Sequence, residues 1–254
     1  MFTWRHFLWL GICVFLIGLS IILYKKKKPS FTKVLNIACA ICIFSEVSKV
    51  LSTIEMVPSS DGSIIFPYIP MNHLPLHLCS MQIILIFYVR FTTNYRMREN
   101  VLAYMYPTCL LGAIMALAMP SIFTTSVPVE RAFTSLLSYQ FFIYHSMLIA
   151  LSIIIVLSKE VKWEKKHIRS TLVIVFLLSF LSIYVNSIFA SPTYVDGKLV
   201  SVDFWPNFFF TYNNPIGLKL TQKWQWLLYL LVIGLIAIVL VVACYLPLIK
   251  KNRD

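Results

Sequence analysis

Charge is scarce in this chain: 13% of its 254 residues are Asp, Glu, Lys or Arg, and only 10 of them are acidic. A water-soluble domain carries about twice that fraction, so a soluble fold of this size is excluded. Glycine is sparse too, at 7 residues, and none stands in a phosphate-cradling loop. There is no internal repeat, no low-complexity segment, and no patch that interleaves basic and aromatic side chains, so the net charge of +12 does not point to nucleic acid as a partner. Its basic residues fall instead in short clusters between apolar runs.

Apolar residues make up 59% of the sequence and aromatics 15%. A hydrocarbon core of about 30 Å takes roughly 20 apolar residues per helix, and seven runs have that character: about 6 to 24, 33 to 53, 75 to 93, 99 to 119, 138 to 158, 170 to 190 and 224 to 247. The fold class is therefore all-α, a polytopic membrane protein of about seven transmembrane helices, read as a single domain over 1–254. The first run leads straight into Lys25, Lys26, Lys27 and Lys28 without a small-residue cleavage site, so it is expected to stay as an anchor rather than leave as a signal peptide.

Cytoplasmic loops retain Lys and Arg. Lys25 to Lys28 and Lys33, Arg90, Arg96 and Arg98, the group Lys159, Lys162, Lys165, Lys166 and Arg169, and Lys250, Lys251 and Arg253 all fall on one side of such a bundle. That is 16 basic residues against 6 elsewhere (Arg5, Lys49, Arg131, Lys198, Lys219, Lys223). An odd number of spans follows, with the N-terminus outside and the C-terminus in the cytoplasm, as in a multi-pass protein of a bacterial cell membrane. The two longest loops, 54 to 74 and 191 to 223, then lie outside. In the second, Phe204, Trp205, Pro206, Asn207, Phe208, Phe209 and Phe210 read as an aromatic belt at the headgroup boundary, or as a lid over a lipid-facing pocket.

The six cysteines, Cys13, Cys39, Cys42, Cys79, Cys109 and Cys244, nearly all lie inside apolar runs, where a thiol packs as a small hydrophobe. Cys39 and Cys42 form a C-x-x-C without flanking metal ligands, so packing outweighs a redox or zinc role. Tyr106, Pro107 and Thr108 suggest a kink in span four, whose freed carbonyl needs a neighbour.

Ionisable and strongly polar groups inside spans are costly, and their depths agree. At about 1.5 Å of rise per residue, Glu46, Cys79 and His145 sit roughly 7 to 11 Å below the outer surface, with Asn186 just above them. Either the layer is an interhelical hydrogen-bond network, common glue in helix bundles, or it is a site. The strongest local signal is Asn72, His73, Leu74, Pro75, Leu76, His77, Leu78, Cys79 and Ser80, with Pro75 suited to the first turn of span three. A histidine can draw the proton from a neighbouring thiol, but residues two apart on a helix point in nearly opposite directions. His77 therefore partners Cys79 only if this turn is distorted, and His145 is the better base, oriented by Glu46 or Asn186. Bland readings stand beside these: His77 as a capping residue, His73 as solvated, Lys49 as the partner of Glu46 along one face. A zinc site of His77, Cys79, His145 and Glu46 is disfavoured by the i, i+2 spacing. No metal and no cofactor are expected.

Leu74-Pro75-Leu76-His77-Leu78-Cys79-Ser80, with Phe141, Phe142 and His145 as Phe-Phe-x-x-His, resembles the YwaF-like family of bacterial integral membrane proteins, whose span layout and chain length are also similar. The Asn and Tyr residues that family carries after span six are only loosely echoed by Tyr212, Asn213 and Asn214. A related eukaryotic transmembrane family acts as a cysteine-dependent phospholipid acyltransferase. The resemblance implies that Cys79 is the nucleophile and that His145 or His77 is its base, with an acyl lipid as substrate; Glu46, Asn186 and Asn72 are expected on the substrate side, and membrane lipids as partners. Two other readings remain: a transporter or solute-binding protein with an outward-facing polar cavity, in which Glu46 would matter more than Cys79, and an assembly or sensor subunit whose polar layer only packs the bundle.

Overall fold

The computed structural model describes residues 2–74, 76–195, 198–203, 207–212 and 221–251, and is mostly helix. In chain order the helices are α1 (Trp4–Lys27), α2 (Phe31–Thr53), α3 (Leu78–Phe91), α4 (Tyr95–Ala118), the single turn α5 (Ile122–Thr125), α6 (Leu136–Ser158), α7 (Lys165–Ile188) and α8 (Lys223–Lys251). Six of these are long and apolar enough to cross a bilayer, and α3 is a shorter apolar helix. The protein is a multi-pass helical membrane protein, with one helix for each apolar run of the sequence.

The local reasons are legible in the termini. Three lysines end α1, where cations complement the negative end of the helix dipole, and Lys28 takes the left-handed conformation (φ 44°) that closes it. Ser30 caps α2 and Asn94 caps α4, each side chain accepting from the backbone N–H three residues on. Glu164 and His167 cap the start of α7 reciprocally. Pro107 does not end α4, which runs through it. The Thr108 hydroxyl beside it donates to the Tyr104 carbonyl at 2.8 Å.

The chain forms two compact units: Met1–Ile69 with Cys79–Lys162, and Pro70–Leu78 with Trp163–Asp254. In the first, α6 is the axis, packed against α1, α2 and α4. Fourteen of its 23 residues are buried, as expected of a helix that is apolar on all sides. Hydrogen bonds fix the order of these helices at both ends. At one end the α1 ring of His6 meets the Leu117 carbonyl near the end of α4 (2.9 Å), and Trp9 donates to Ala132 just before α6 (3.0 Å). At the other, Arg98 at the start of α4 pairs with Glu160 after α6 (2.8 Å), Lys162 donates its N–H to Glu99 (2.8 Å), and Arg90 in α3 donates to Asn36 in α2. The basic clusters of this unit thus gather at one end, as the charge pattern of the sequence requires.

Two findings depart from the sequence reading. The third helix begins at Leu78 and has 14 residues, a length of about 21 Å against a core of about 30 Å. Pro75 itself lies outside the described residues, but Leu74 before it is extended (ψ 144°), as the clash with a following proline ring demands. The loops are also not irregular. Residues 54 to 74 contain a hairpin of β1 (Glu55–Pro58) and β2 (Ile65–Tyr68), and β3 (Ser191–Val195) pairs antiparallel with β4 (Lys198–Asp203). Gly62 at the tip of the first hairpin has φ +71°, open to glycine without strain. Asp61 beside it accepts from the Ser59 hydroxyl (2.5 Å) and from the Ser63 N–H (3.1 Å) and hydroxyl (2.8 Å).

In the second unit, α7 and α8 are joined by a hydrogen bond between the Thr171 and Tyr245 hydroxyls (2.8 Å), with the Trp163 ring 5.9 Å from that of Tyr245. Residues 207–212 pack on α7.

Candidate functional site

Cys79 is the second residue of α3 and opens a seam of Cys79, Gln82, Ile86 and Val89, the three- and four-residue spacing that puts side chains on one face. Gln82 and Ile86 are wholly buried and Val89 nearly so. Gln82 stands between α3 and α4: its amide donates to the Thr108 hydroxyl (3.1 Å) and its carbonyl accepts from the Cys109 thiol (3.3 Å). From α6 the Tyr144 hydroxyl donates to the backbone carbonyl of Cys79 (2.7 Å), which ties the first turn of α3 to the axial helix. Tyr144 also lies within electrostatic reach of Cys42, Cys79, Cys109 and Glu46. A layer of three thiols, a phenol, an amide and a carboxylate is thereby assembled from α2, α3, α4 and α6.

Within that layer the thiols differ. Cys42 and Cys109 are wholly buried, whereas Cys79 is half-buried at a helix start, where unsatisfied N–H groups favour negative charge. Cys39 and Cys42 are both buried free thiols. His145 is also buried in α6. Its Nδ1 lies 2.7 Å from the Phe141 carbonyl, and because a carbonyl only accepts, Nδ1 is the donor. Tyr144, one residue earlier, lies about 100° round the helix. Glu46 is paired with Lys49 at 2.7 Å, and Gln140 ties α6 to the adjacent Ser45 (2.6 Å).

The remaining sequence candidates belong to the second unit. His77 precedes α3 in a bend, and its ring meets that of Phe208 edge-on at 4.8 Å. Asn186, buried near the end of α7, accepts from the Phe208 N–H (2.9 Å) and donates to the Phe208 carbonyl (3.1 Å) and the Thr211 hydroxyl (2.9 Å). Trp226 and Tyr229 of α8 donate to the Thr211 and Phe210 carbonyls, each at 2.8 Å. So clamped, Phe209 and Phe210 hold positive φ (56° and 54°), a strain of about 1–3 kcal/mol each that only over-determined surroundings sustain. Within the aromatic segment Phe208 is buried while Phe210 is exposed. Residues 204 to 206, with Asn213 and Asn214, lie outside the described residues, as does the side chain of Asn72, whose backbone is in a 3₁₀ turn, Met71–His73. Among the described residues no group of three or more His, Cys, Asp or Glu is gathered as a metal would need.

The structure thus sorts the candidates into Glu46, Cys79 and His145 in one unit and His77, Asn186 and the Asn72 backbone in the other. Sequence reasoning missed Tyr144, Gln82 and Thr108. Their signal was available as uncharged polar residues inside apolar runs, and Gln82 stands three after Cys79.

The model of the TMEM164 family matches residues 1–245. The chain belongs to the TMEM164 family. No curated protein and no solved structure matches it. Membership in the TMEM164 family and the run of apolar helices agree on a multi-pass membrane protein.

Proposed function

We propose that this TMEM164-family chain is a cysteine-dependent lipid acyltransferase or acyl hydrolase of the cell membrane, close within the family to the YwaF-like bacterial proteins, with its seven helices acting as one domain. The observation that carries this reading is the position of Cys79: a half-buried thiol at a helix start, its carbonyl held by Tyr144. Orientation follows the basic clusters, which put the C-terminus in the cytoplasm and Cys79 in the outer half of the bundle.

The chemistry is acyl transfer in two balanced steps. The Cys79 sulfur attacks the carbonyl carbon of a lipid ester as its proton passes to an imidazole, the C–O bond breaks, and the leaving alkoxide takes that proton. A lipid hydroxyl or water then attacks the thioester, gives its proton to the base, and the C–S bond breaks as the thiol is restored. His145 is the candidate for base, because it shares the unit of Cys79 and, in a neutral ring whose Nδ1 donates to the Phe141 carbonyl, Nε2 holds the lone pair. An apolar setting disfavours a standing thiolate, so proton removal and attack belong together. The N–H groups of the first turn of α3 suit the developing oxyanion. Glu46, in the same compact unit as Cys79, lies on the substrate side. A transporter reading needs Glu46 as a cation or proton site, which its tight pairing with Lys49 disfavours.

The test is the full chain in lipid nanodiscs, supplied with a phospholipid carrying a labelled acyl chain and with an acyl acceptor. Cys79→Ala is expected to abolish turnover and the hydroxylamine-sensitive acyl-protein adduct, at unchanged abundance. Turnover retained in Cys79→Ala refutes the reading, and solute uptake by vesicles insensitive to thiol blockers would replace it with the transporter.

A further inference from the structure

An apolar cleft of about 640 Å³ opens between α7 and α8, lined by Ile168, Leu172, Phe176 and Leu246 among others, with Lys165 and Arg169 at one end. That volume is in the range of small-molecule and cofactor sites. Lys165, Arg169, Leu172 and Phe176 follow one another at four, three and four residues, so two cations and two large apolar side chains share one face of α7. From Lys165 to Phe176 the face runs about 17 Å. Lys250 follows the cleft residue Ile249 near the same end of α8.

Both cations are exposed, and neither has an ion pair among the described residues: Glu164, the nearest carboxylate in sequence, is held at 2.9 Å by Lys166 and caps α7. The far end of the cleft is shaped by a missing side chain. The Phe176 ring lies where a Cβ on Gly234 would come within 3.2 Å of it, so only glycine there lets the ring lie against α8 unhindered.

We propose that this cleft is a binding site for an anionic phospholipid, its phosphate between Lys165 and Arg169 and an acyl chain along Leu172, Phe176 and Leu246. The charge distribution commits the occupant. An apolar slot in membrane-spanning helices suits an acyl chain, and unpaired cations confined to its end match a phosphate at headgroup level. The site is separate from Cys79 and does not depend on the acyl-transfer reading.

The experiment counts lipids bound to the delipidated full chain in detergent by native mass spectrometry, with phosphatidylglycerol or phosphatidylcholine added. At roughly fivefold per cation, two cations give an expected preference for phosphatidylglycerol of about thirtyfold. Lys165→Gln/Arg169→Gln should erase that preference. Leu172→Trp, or Leu246→Phe if the first fails to fold, should weaken both lipids by filling the slot. Lys25→Gln/Lys26→Gln, equally basic and on another helix, should bind as the unaltered chain does. Equal retention of the two lipids, or a cleft variant that behaves like the α1 control, overturns the proposal. Displacement of phosphatidylglycerol by millimolar inorganic phosphate overturns it too, since the site would then read a free anion.

Discussion

Removing the hydroxyl of Tyr144 isolates the link between α6 and the candidate nucleophile. Tyr144→Phe keeps the ring and its packing, so no cavity forms, and deletes one part-buried hydrogen bond, to the Cys79 carbonyl at 2.7 Å. Interhelical hydrogen bonds in membrane bundles contribute about 0.6 kcal/mol on average and up to about 1.7. This one is short and part-buried, which argues for about 1 kcal/mol, or roughly a fivefold shift in any equilibrium it controls. Its loss frees the first turn of α3, and the two reactivities of Cys79 should then move in opposite directions. Labelling by a small thiol reagent should rise as the turn frays, while acylation by a lipid ester should fall several-fold as the sulfur loses its position. Both rates can be read by mass spectrometry of the Cys79 peptide from protein in nanodiscs, with wholly buried Cys109 as the internal standard. If both rates rise together, or neither changes, Tyr144 does not position Cys79.

Asn186→Leu removes the three hydrogen bonds that fix residues 207–212 and leaves the Phe208 N–H unpartnered. The expected cost is about 1–3 kcal/mol, seen as faster protease cleavage near Phe208, with cleavage after Lys198 as the reference. Asp61 gives a pH test outside the membrane. The Ser59 hydroxyl first, and then the Ser63 N–H and hydroxyl, hold its carboxyl down to about 2 from an ordinary 3.8. The folded turn prefers the charged form, so its stabilisation is full above pH 3.8 and is lost as pH falls toward 2. The Asp61 carboxyl resonance should titrate near 2, and a midpoint near 3.8 would show that the serines do not hold it.

By itself the sequence determined the solvent, the helices and which loops carry the basic clusters. Each of these rests on a one-dimensional signal: about 20 apolar residues per crossing, basic clusters at alternate loops, and Ser30, Asn94 and Glu164 at helix starts. Depth along a helix is also one-dimensional, and it ranked Glu46, Cys79 and His145 together. Which side chains face one another is not one-dimensional. Tyr144 and His145 have the same depth within one residue, and the rotation of α6 about its axis decides that the tyrosine hydroxyl reaches the Cys79 carbonyl. The same holds for Asn186, whose depth is readable but whose partners lie 22 and 25 residues away in a segment with no periodicity. The hairpins escaped a hydropathy reading because their residues are mostly exposed and their order comes from strand pairing and the turn at Asp61 and Gly62. Composition decides where the chain lies. The rotation and pairing of its elements, fixed by tertiary packing, decide what each polar side chain meets there.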